Sequence, residues 1–292
     1  MDADTRDHAR HEVLAENTAQ AVHKHLSKLF QEEARFRSRW IWELLQNARD
    51  ASPPEGVSVR LIHDPHRVVF SHSGVPFSYK SIAHLIYHGS TKYDLDNSGA
   101  IGQFGTGFLT THLISKTVTV KGRTEDGGRF CFLLDRRGDS ADKLKRAMDS
   151  SWEAFSRSLA ESGTDDRGYL PTEYEYPLSF DVVDVVNAGV TDLVANAAYL
   201  LAFNGRIRSL RIERPDNSIT IDRKADDAIG ELAQRFHFHE HSPVGNSVSR
   251  CVATISDRGT TVAIEIVKMG DVWSVVERGH GTVFEFESNV DR

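Results

Sequence analysis

The chain has 292 residues, of which 39% are hydrophobic and 26% charged, and its net charge at pH 7 is −7. This composition is that of a globular protein with enough apolar residues for a buried core, and the negative charge argues against a general affinity for nucleic acid. No apolar run is long enough to span a bilayer, and residues 1–10 lack the apolar core of a signal peptide. We therefore expect a cytoplasmic protein without a membrane partner.

The first part of the chain is predicted to alternate between helices and short strands. Apolar residues recur at helical spacing from Arg10 to Glu33 and from Phe36 to Ala51, and two prolines follow the second helix. The elements predicted next are, in order, strands Val57–Ile62 and Arg67–Ser71, a helix at Ser78–Ile86, a glycine-rich loop at Thr91–Gly107, a helix at Phe108–Ile114, and strands Thr117–Val120 and Phe130–Leu134.

The second part begins with a change in composition. Residues 136–177 are charged, are predicted to be helical from Ala141 to Leu159 and end in a turn-rich stretch, so we interpret them as a helical insertion between core strands. A helix at Val182–Phe203 is followed by strands predicted at Ile207–Ile212, Ser218–Ile221, Val248–Ile255, Thr260–Val267, Val272–Val276 and Thr282–Phe286. Helices that precede and interrupt a mostly antiparallel set of strands predict an α+β two-layer sandwich, with helices covering one sheet.

One candidate site segment lies on the second predicted helix. Glu43, Asn47 and Asp50 are spaced i, i+4 and i+7, so that they share one helix face. A carboxylate near a cleft can act as a general base on water, and the amide oxygen of asparagine is a suitable ligand for Mg²⁺. The same spacing is equally typical of a solvated polar stripe on an amphipathic helix, so this pattern alone leaves both interpretations open.

A second candidate segment is rich in glycine and opens into a helix. It contains Gly102, Gly105, Thr106 and Gly107, and Lys92 lies upstream. Glycines allow the backbone to approach a phosphate closely, and the free amides at the start of the following helix favour an anion. Flexible turns also collect glycine, and an exposed loop lysine needs no function.

Two strand ends complete the set of candidate segments. The predicted strand that ends near His72 leads into a turn of small residues that contains Gly74, and a late strand begins with a glycine followed by Thr282. Either segment alone is only a strand terminus.

Taken in order, these segments resemble the signature of the GHKL ATPases, a family that includes ninety-kilodalton heat-shock chaperones, gyrase B subunits, MutL proteins and sensor histidine kinases. The signature combines E-x-x-x-N-x-x-D on a helix, a glycine turn after a strand, a glycine-rich lid ending in G-x-x-G-x-G, and a late Gly-Thr strand. The words W-x-L-L-Q-N-x-x-D-A, S-G-x-P-F and S-T-K before G-Q-F-G-T-G-F are similar to sacsin-type N-terminal ATPase domains. The strong match covers Arg35 to Ser115.

The resemblance implies one GHKL domain over residues 1–292 with the Bergerat fold, binding ATP and Mg²⁺. It also implies roles for individual residues. Glu43 orients or deprotonates the attacking water, Asn47 binds Mg²⁺, and Asp50 and Gly74 line the pocket. The phosphates are cradled by Gly102, Gly105 and Gly107 beside Thr106, while Lys92 belongs to the lid and Thr282 lies behind the adenine. Slow ATP hydrolysis is expected, with lid closure driving a conformational or assembly change. An ATP-dependent homodimer or a partner subunit is expected too, and the first helix (residues 1–34) is a candidate docking element.

The sequence departs from the family at His72. The family usually has an aspartate there, whose carboxylate accepts a hydrogen bond from the amino group of adenine. A neutral imidazole nitrogen can accept the same bond with a different reach, or His72 points away and Ser73 or a water contacts the base.

Three alternatives remain open from the sequence. The chain could be a nucleotide-gated binding module that acts with a partner and never hydrolyses ATP. It could be a histidine kinase, with a phospho-acceptor among the histidines of the first helix. Finally, His237, His239 and His241 alternate and would share one face of a strand, which fits either a zinc site or, more simply, an exposed edge strand.

Overall fold

The computed structural model describes residues 3–87, 107–162 and 171–222, and then the shorter segments 228–229, 233–241, 248–257, 260–269, 272–275 and 286–287. The helices of these residues are α1 (Ala3–Gln31), α2 (Glu33–Phe36), α3 (Arg39–Asp50), α4 (Tyr79–Tyr87), α5 (Ala141–Ser162) and α6 (Val183–Phe203). Two 3₁₀ helices span Gly107–Leu113 and Phe180–Val182. Every helix predicted from apolar spacing is present, although the one predicted at Phe108–Ile114 is a 3₁₀ helix. No described helix is long and apolar enough to cross a bilayer.

The strands form one twisted sheet. They are β1 (Val57–Asp64), β2 (Arg67–His72), β3 (Thr117–Arg123), β4 (Arg129–Asp135), β5 (Thr172–Pro177), β6 (Ile207–Glu213), β7 (Ser218–Asp222), β8 (Ala228–Ile229), β9 (Ala233–His241), β10 (Val248–Asp257), β11 (Thr260–Met269), β12 (Val272–Val275) and β13 (Phe286–Glu287). The order across the sheet is β12-β11-β10-β9-β7-β6-β1-β2-β5-β3-β4, with β13 beside β11 and β8 beside β9. Only β1 and β6 pair in parallel among these strands.

One face of the sheet carries a continuous row of buried side chains. In register across β1, β2, β5, β3 and β4 lie Leu61, Phe70, Tyr174, Val120 and Phe132. All five are at most 4% exposed, because the helices pack on this side. Alternation of buried and exposed residues along each strand places the apolar set towards the helices.

The opposite face of the sheet is charged and partly exposed. Lys121 on β3 donates hydrogen bonds to Glu173 and Glu175 on β5, at 2.8 and 3.1 Å, and Arg67 on β2 reaches Glu175 at 3.4 Å. Side chains of opposite charge on neighbouring strands stabilise pairing without needing a second protein layer. The fold is therefore an α+β arrangement with a mostly antiparallel sheet and helices on one face.

The sequence interpretation of residues 136–177 was wrong at its end, where a turn-rich stretch was expected. Residues 172–177 form β5, which lies inside the sheet between β2 and β3. The strand pattern was legible in the alternation Thr-Glu-Tyr-Glu-Tyr, because Tyr174 and Tyr176 are buried while the glutamates between them face solvent. The helical stretch before it, α5, packs along β4 and covers its free edge: the Ser158 and Ser151 hydroxyls accept hydrogen bonds from the Cys131 and Asp135 amides.

The exposed-edge interpretation of the histidine-rich strand was also wrong. His237, His239 and His241 lie on β9, which is paired on one side with β7 and on the other with β10. A strand with two neighbours has no free backbone edge.

Helix α3 is the element that positions the candidate site. Its apolar residues Trp40, Ile41, Leu44, Leu45 and Ala48 are buried, which leaves a polar face. The Trp40 indole donates to the Val185 carbonyl of α6 at 3.2 Å and lies so close to Gly189 that a Cβ there would overlap the ring. The buried side of α3 is therefore packed against α6, which holds the polar face of α3 in one orientation.

Candidate functional site

The carboxylate of Glu43 is held by two neighbours. The Arg39 Nε donates to Glu43 Oε1 at 2.8 Å, one helical turn away on α3. The Glu43 side chain is only 12% exposed, whereas that of Arg39 is 54% exposed. Arg39 thus covers the carboxylate from the solvent side.

The second neighbour of Glu43 is the glycine that begins the 3₁₀ helix. A Cβ built on Gly107 would overlap Oε2 of Glu43, so the backbone of residue 107 rests directly on the carboxylate. Any residue other than glycine would displace the acid or the turn. The structure therefore brings together two residues that the sequence analysis assigned to separate segments.

The glycine turn after β2 contacts the other end of the same helix. The Val75 amide donates to the Ala51 carbonyl at 2.8 Å. A Cβ on Gly74 would lie 2.8 Å from that carbonyl oxygen and 2.9 Å from the Ala51 Cβ, which is closer than side chains pack. The absence of a side chain at Gly74 allows this contact.

Helix α3 thus connects two of the candidate glycine segments. Gly107 lies at Glu43 and the turn of Gly74 lies at Ala51, eight residues further along the chain, which corresponds to about 12 Å of helix. Asn47 and Asp50 lie within this interval and are half-buried. Such an arrangement can present an acid and an amide oxygen along one side of a ligand.

His72 is buried at the end of β2, with 3% of its surface exposed. Its Nδ1 accepts a hydrogen bond from the Gly74 amide at 3.1 Å. The ring lies 6.3 Å from that of Phe70 and 6.4 Å from that of Tyr174, between centroids. Burial lowers the pKa of His72 to about 4, so the imidazole is neutral at neutral pH. Since Nδ1 accepts, the one ring proton is on Nε2.

An aromatic contact joins this end of the sheet to the 3₁₀ helix. Phe108, the residue after Gly107, packs on Tyr174 with ring centroids 5.4 Å apart. The hydroxyls of Thr110 and Thr111 donate to the carbonyls of Gly107 and Phe108, at 2.7 and 2.8 Å. These local bonds bind the carbonyl groups of the first turn and favour the tight 3₁₀ geometry over an α-helix.

Two arginines with structural roles were not recognised from sequence. The position of Arg39 four residues before Glu43 was the available signal for their ion pair. Arg136 is 2% exposed and donates to the carbonyls of Ile86 at 2.5 Å and Leu85 at 3.3 Å, so it caps α4. Burial lowers the pKa of Arg136 to about 10, and it remains charged at neutral pH. Nothing in the local sequence marks Arg136.

Several expected site residues lie outside the described residues: Lys92, Gly102, Gly105, Thr106 and Thr282. The structure therefore describes Glu43, Asn47, Asp50, His72, Gly74 and Gly107 of the predicted set.

Donor atoms for a metal are sparse among the described side chains. No group of three or more histidine, cysteine or acidic side chains is arranged to hold an ion in the part of the chain whose side chains are described. A protein-bound Mg²⁺ that takes most of its ligands from phosphates and water needs only one or two protein oxygens. Asn47, one turn beyond Glu43 on α3, offers one amide oxygen that fits this mode of binding.

The comparisons with protein families and curated proteins find no related protein. No model of a protein family matches the chain, and the comparison with curated proteins finds no match. The resemblance to GHKL ATPases therefore depends on the sequence motifs.

Proposed function

We propose that the chain is a GHKL-type nucleotide-binding protein with a Bergerat fold, which binds ATP with Mg²⁺ and hydrolyses it slowly. The observation that carries the proposal is the contact of the Glu43 carboxylate with the backbone of Gly107, on the same helix whose far end holds the Gly74 turn. The two glycine contacts are what a helix needs in order to border the phosphates at one end of a nucleotide and the base at the other.

Each residue of the described set has a part in the proposed chemistry. Asn47 would be the protein ligand of Mg²⁺, which supplies charge neutralisation on the phosphates. Glu43 orients a water molecule for in-line attack, and the hydrogen bond from Arg39 holds its carboxylate in one rotamer. The amides at the start of the 3₁₀ helix, from Gly107, offer hydrogen bonds to a phosphate.

Calorimetric titration with ATP, ADP and GTP, each with and without Mg²⁺, tests the binding step. We expect Mg²⁺-dependent binding of a nucleoside triphosphate by the wild type, and weaker metal dependence for Asn47→Ala. Glu55→Ala, which changes an exposed acid outside the site, is the matched control and should bind as the wild type does. If no nucleotide binds in the presence of Mg²⁺, the proposed function is wrong.

A second candidate function is a nucleotide-gated module that does not hydrolyse. It is favoured by one observation: Oε1 of Glu43 is already bonded to Arg39, and Oε2 lies on Gly107. Because both oxygens of Glu43 already contact other groups, one of these contacts must be lost before the carboxylate can accept a hydrogen bond from the attacking water. Steady-state phosphate release distinguishes the two: hydrolysis that disappears in Glu43→Ala while ATP still binds supports the ATPase, and no release by the wild type supports the module.

We also propose that nucleotide binding changes the assembly state through α1. The later part of this helix is fixed in the core of its own chain by Ala19, Val22, Leu26 and Leu29, so only the part before Ala19 is available for another subunit. Val13 and Leu14 are more than half exposed there. Light scattering with a non-hydrolysable ATP analogue should show a mass increase that is absent in Leu14→Ser, and a constant monomer mass would contradict it.

A further inference from the structure

We propose that this site recognises its base with a hydrogen-bond donor, the Nε2–H of His72, and therefore prefers a 6-oxo purine nucleotide to ATP. The inference rests on the proposed nucleotide-binding function and names the base that the site takes. It replaces the sequence-based expectation that an imidazole nitrogen at residue 72 accepts a bond from the amino group of adenine.

The donor character of His72 follows from its contact with the Gly74 turn. The Gly74 amide donates to Nδ1 at 3.1 Å, which uses the lone pair of that nitrogen. A neutral imidazole has one proton, and with Nδ1 as acceptor the proton must be on Nε2. Nε2 has no hydrogen-bond partner among the described residues, so it is the ring atom left for a ligand.

The orientation of the ring is fixed by its surroundings. His72 is 3% exposed and lies beside the aromatic rings of Phe70 and Tyr174. A turned-over imidazole would place a carbon against the Gly74 amide and lose the hydrogen bond that this amide makes to Nδ1. The turn itself is held on α3 by the bond from the Val75 amide to the Ala51 carbonyl, at 2.8 Å.

A donor at this position reverses the preference that an aspartate would give. Adenine carries an amino group at position 6, so two donors would face each other and both would stay unsatisfied. Hypoxanthine and guanine carry an oxygen at position 6, which accepts a bond from Nε2–H. A site built around one buried hydrogen bond discriminates strongly against the ligand that cannot form it, and we expect about a tenfold preference or more.

The test is a set of calorimetric titrations with ATP, ITP and GTP in the presence of Mg²⁺. ITP differs from ATP only in the oxygen at position 6 and the proton on N1, and GTP shows whether a 2-amino group matters. We expect the wild type to bind ITP and GTP at least about tenfold more tightly than ATP. His72→Asp, which restores an acceptor, should reverse the order, and His66→Asp, an exposed histidine on the β1–β2 turn, should leave it unchanged.

A second variant, His72→Asn, provides the comparison if His72→Asp does not fold. His72→Asn carries both an acceptor and a donor, and we expect it to bind ATP and ITP within about threefold of each other. Circular dichroism establishes that each variant is folded. Tighter binding of ATP than of ITP by the wild type, or an order that neither variant changes, overturns this inference and leaves the proposed function standing. Failure of all three nucleotides to bind overturns the proposed function itself.

Discussion

The carboxylate of Glu43 rests on the backbone of Gly107, in the space that a side chain at residue 107 would need. Glu43 is held from the other side by Arg39, at 2.8 Å. The acid is therefore enclosed between a glycine and an arginine from two different elements, the 3₁₀ helix and α3. Substitution of any of the three residues should therefore change a contact of the carboxylate.

Gly107→Ala is expected to destabilise the fold. The added methyl group must displace the Glu43 carboxylate or the 3₁₀ helix, and overpacking of this kind costs about 1–3 kcal/mol. Urea unfolding followed by circular dichroism measures the change.

The same substitution in a Glu43→Ala background supplies the control. With the carboxylate removed, the methyl group has room, so the cost of Gly107→Ala should fall by about 1 kcal/mol or more. Strictly additive effects of the two substitutions would show that the two residues are not in contact in solution.

Arg39→Gln is expected to affect turnover more than stability. The arginine is 54% exposed, so its ion pair with Glu43 contributes no more than about 0.5 kcal/mol to folding. If Glu43 orients the water, loss of its partner should lower kcat by about tenfold with little change in KM.

Lys143→Gln is the matched control for Arg39→Gln. Lys143 forms an i, i+4 ion pair with Asp139 at 2.9 Å on the exposed surface, and its loss should leave kcat unchanged. Equal kinetics of the wild type and Arg39→Gln would remove Arg39 from the mechanism.

The longer helices were predictable from sequence because apolar residues recur along them at helical spacing. On α3, the spacing of Trp40, Ile41, Leu44 and Leu45 indicates a helix by itself, and the same residues are buried. Strand β5 was missed because its alternation of buried and exposed residues is short and follows a charged helix. The charged composition of the whole segment was therefore given more weight than the alternation. Its place inside the sheet depends on pairing with β2 and β3, which are distant in the chain and which no local pattern reveals.

The candidate site was predictable in its residue types and not in its contacts. The helical spacing of Glu43, Asn47 and Asp50 indicated one polar face, and the structure has these residues on α3. The tautomer of His72 could not be predicted, because it is set by the Gly74 amide and by burial among aromatic rings. The ion pair of Arg39 with Glu43 was legible in their spacing of four residues on a helix.

Gly189→Ala is expected to destabilise the protein, although alanine is the better helix former. In an exposed helix the change would stabilise by about 1 kcal/mol. Here the methyl group would overlap the Trp40 indole, which is fully buried and bonded to the Val185 carbonyl, so a net loss of about 1–3 kcal/mol is expected.

Asn187→Ala, on the exposed side of α6, also gains helix propensity, without the overlap, and should be neutral or stabilising. Urea unfolding followed by tryptophan fluorescence measures both variants. If Gly189→Ala were as stable as Asn187→Ala, the close packing of α3 on α6 would be contradicted.

The stability of the protein should depend on pH through His72. Burial lowers its pKa from 6.5 to about 4 in the folded chain, so between these values the unfolded chain binds more protons than the folded one. The stability that the neutral ring provides is therefore complete above pH 6.5 and is lost as the pH falls towards 4. Relative to His72→Phe, which does not titrate, the wild type should lose about 2 kcal/mol between pH 6.5 and about pH 5. Urea unfolding of both proteins at each pH measures this difference, and curves that run parallel would show that His72 is not buried as a neutral ring.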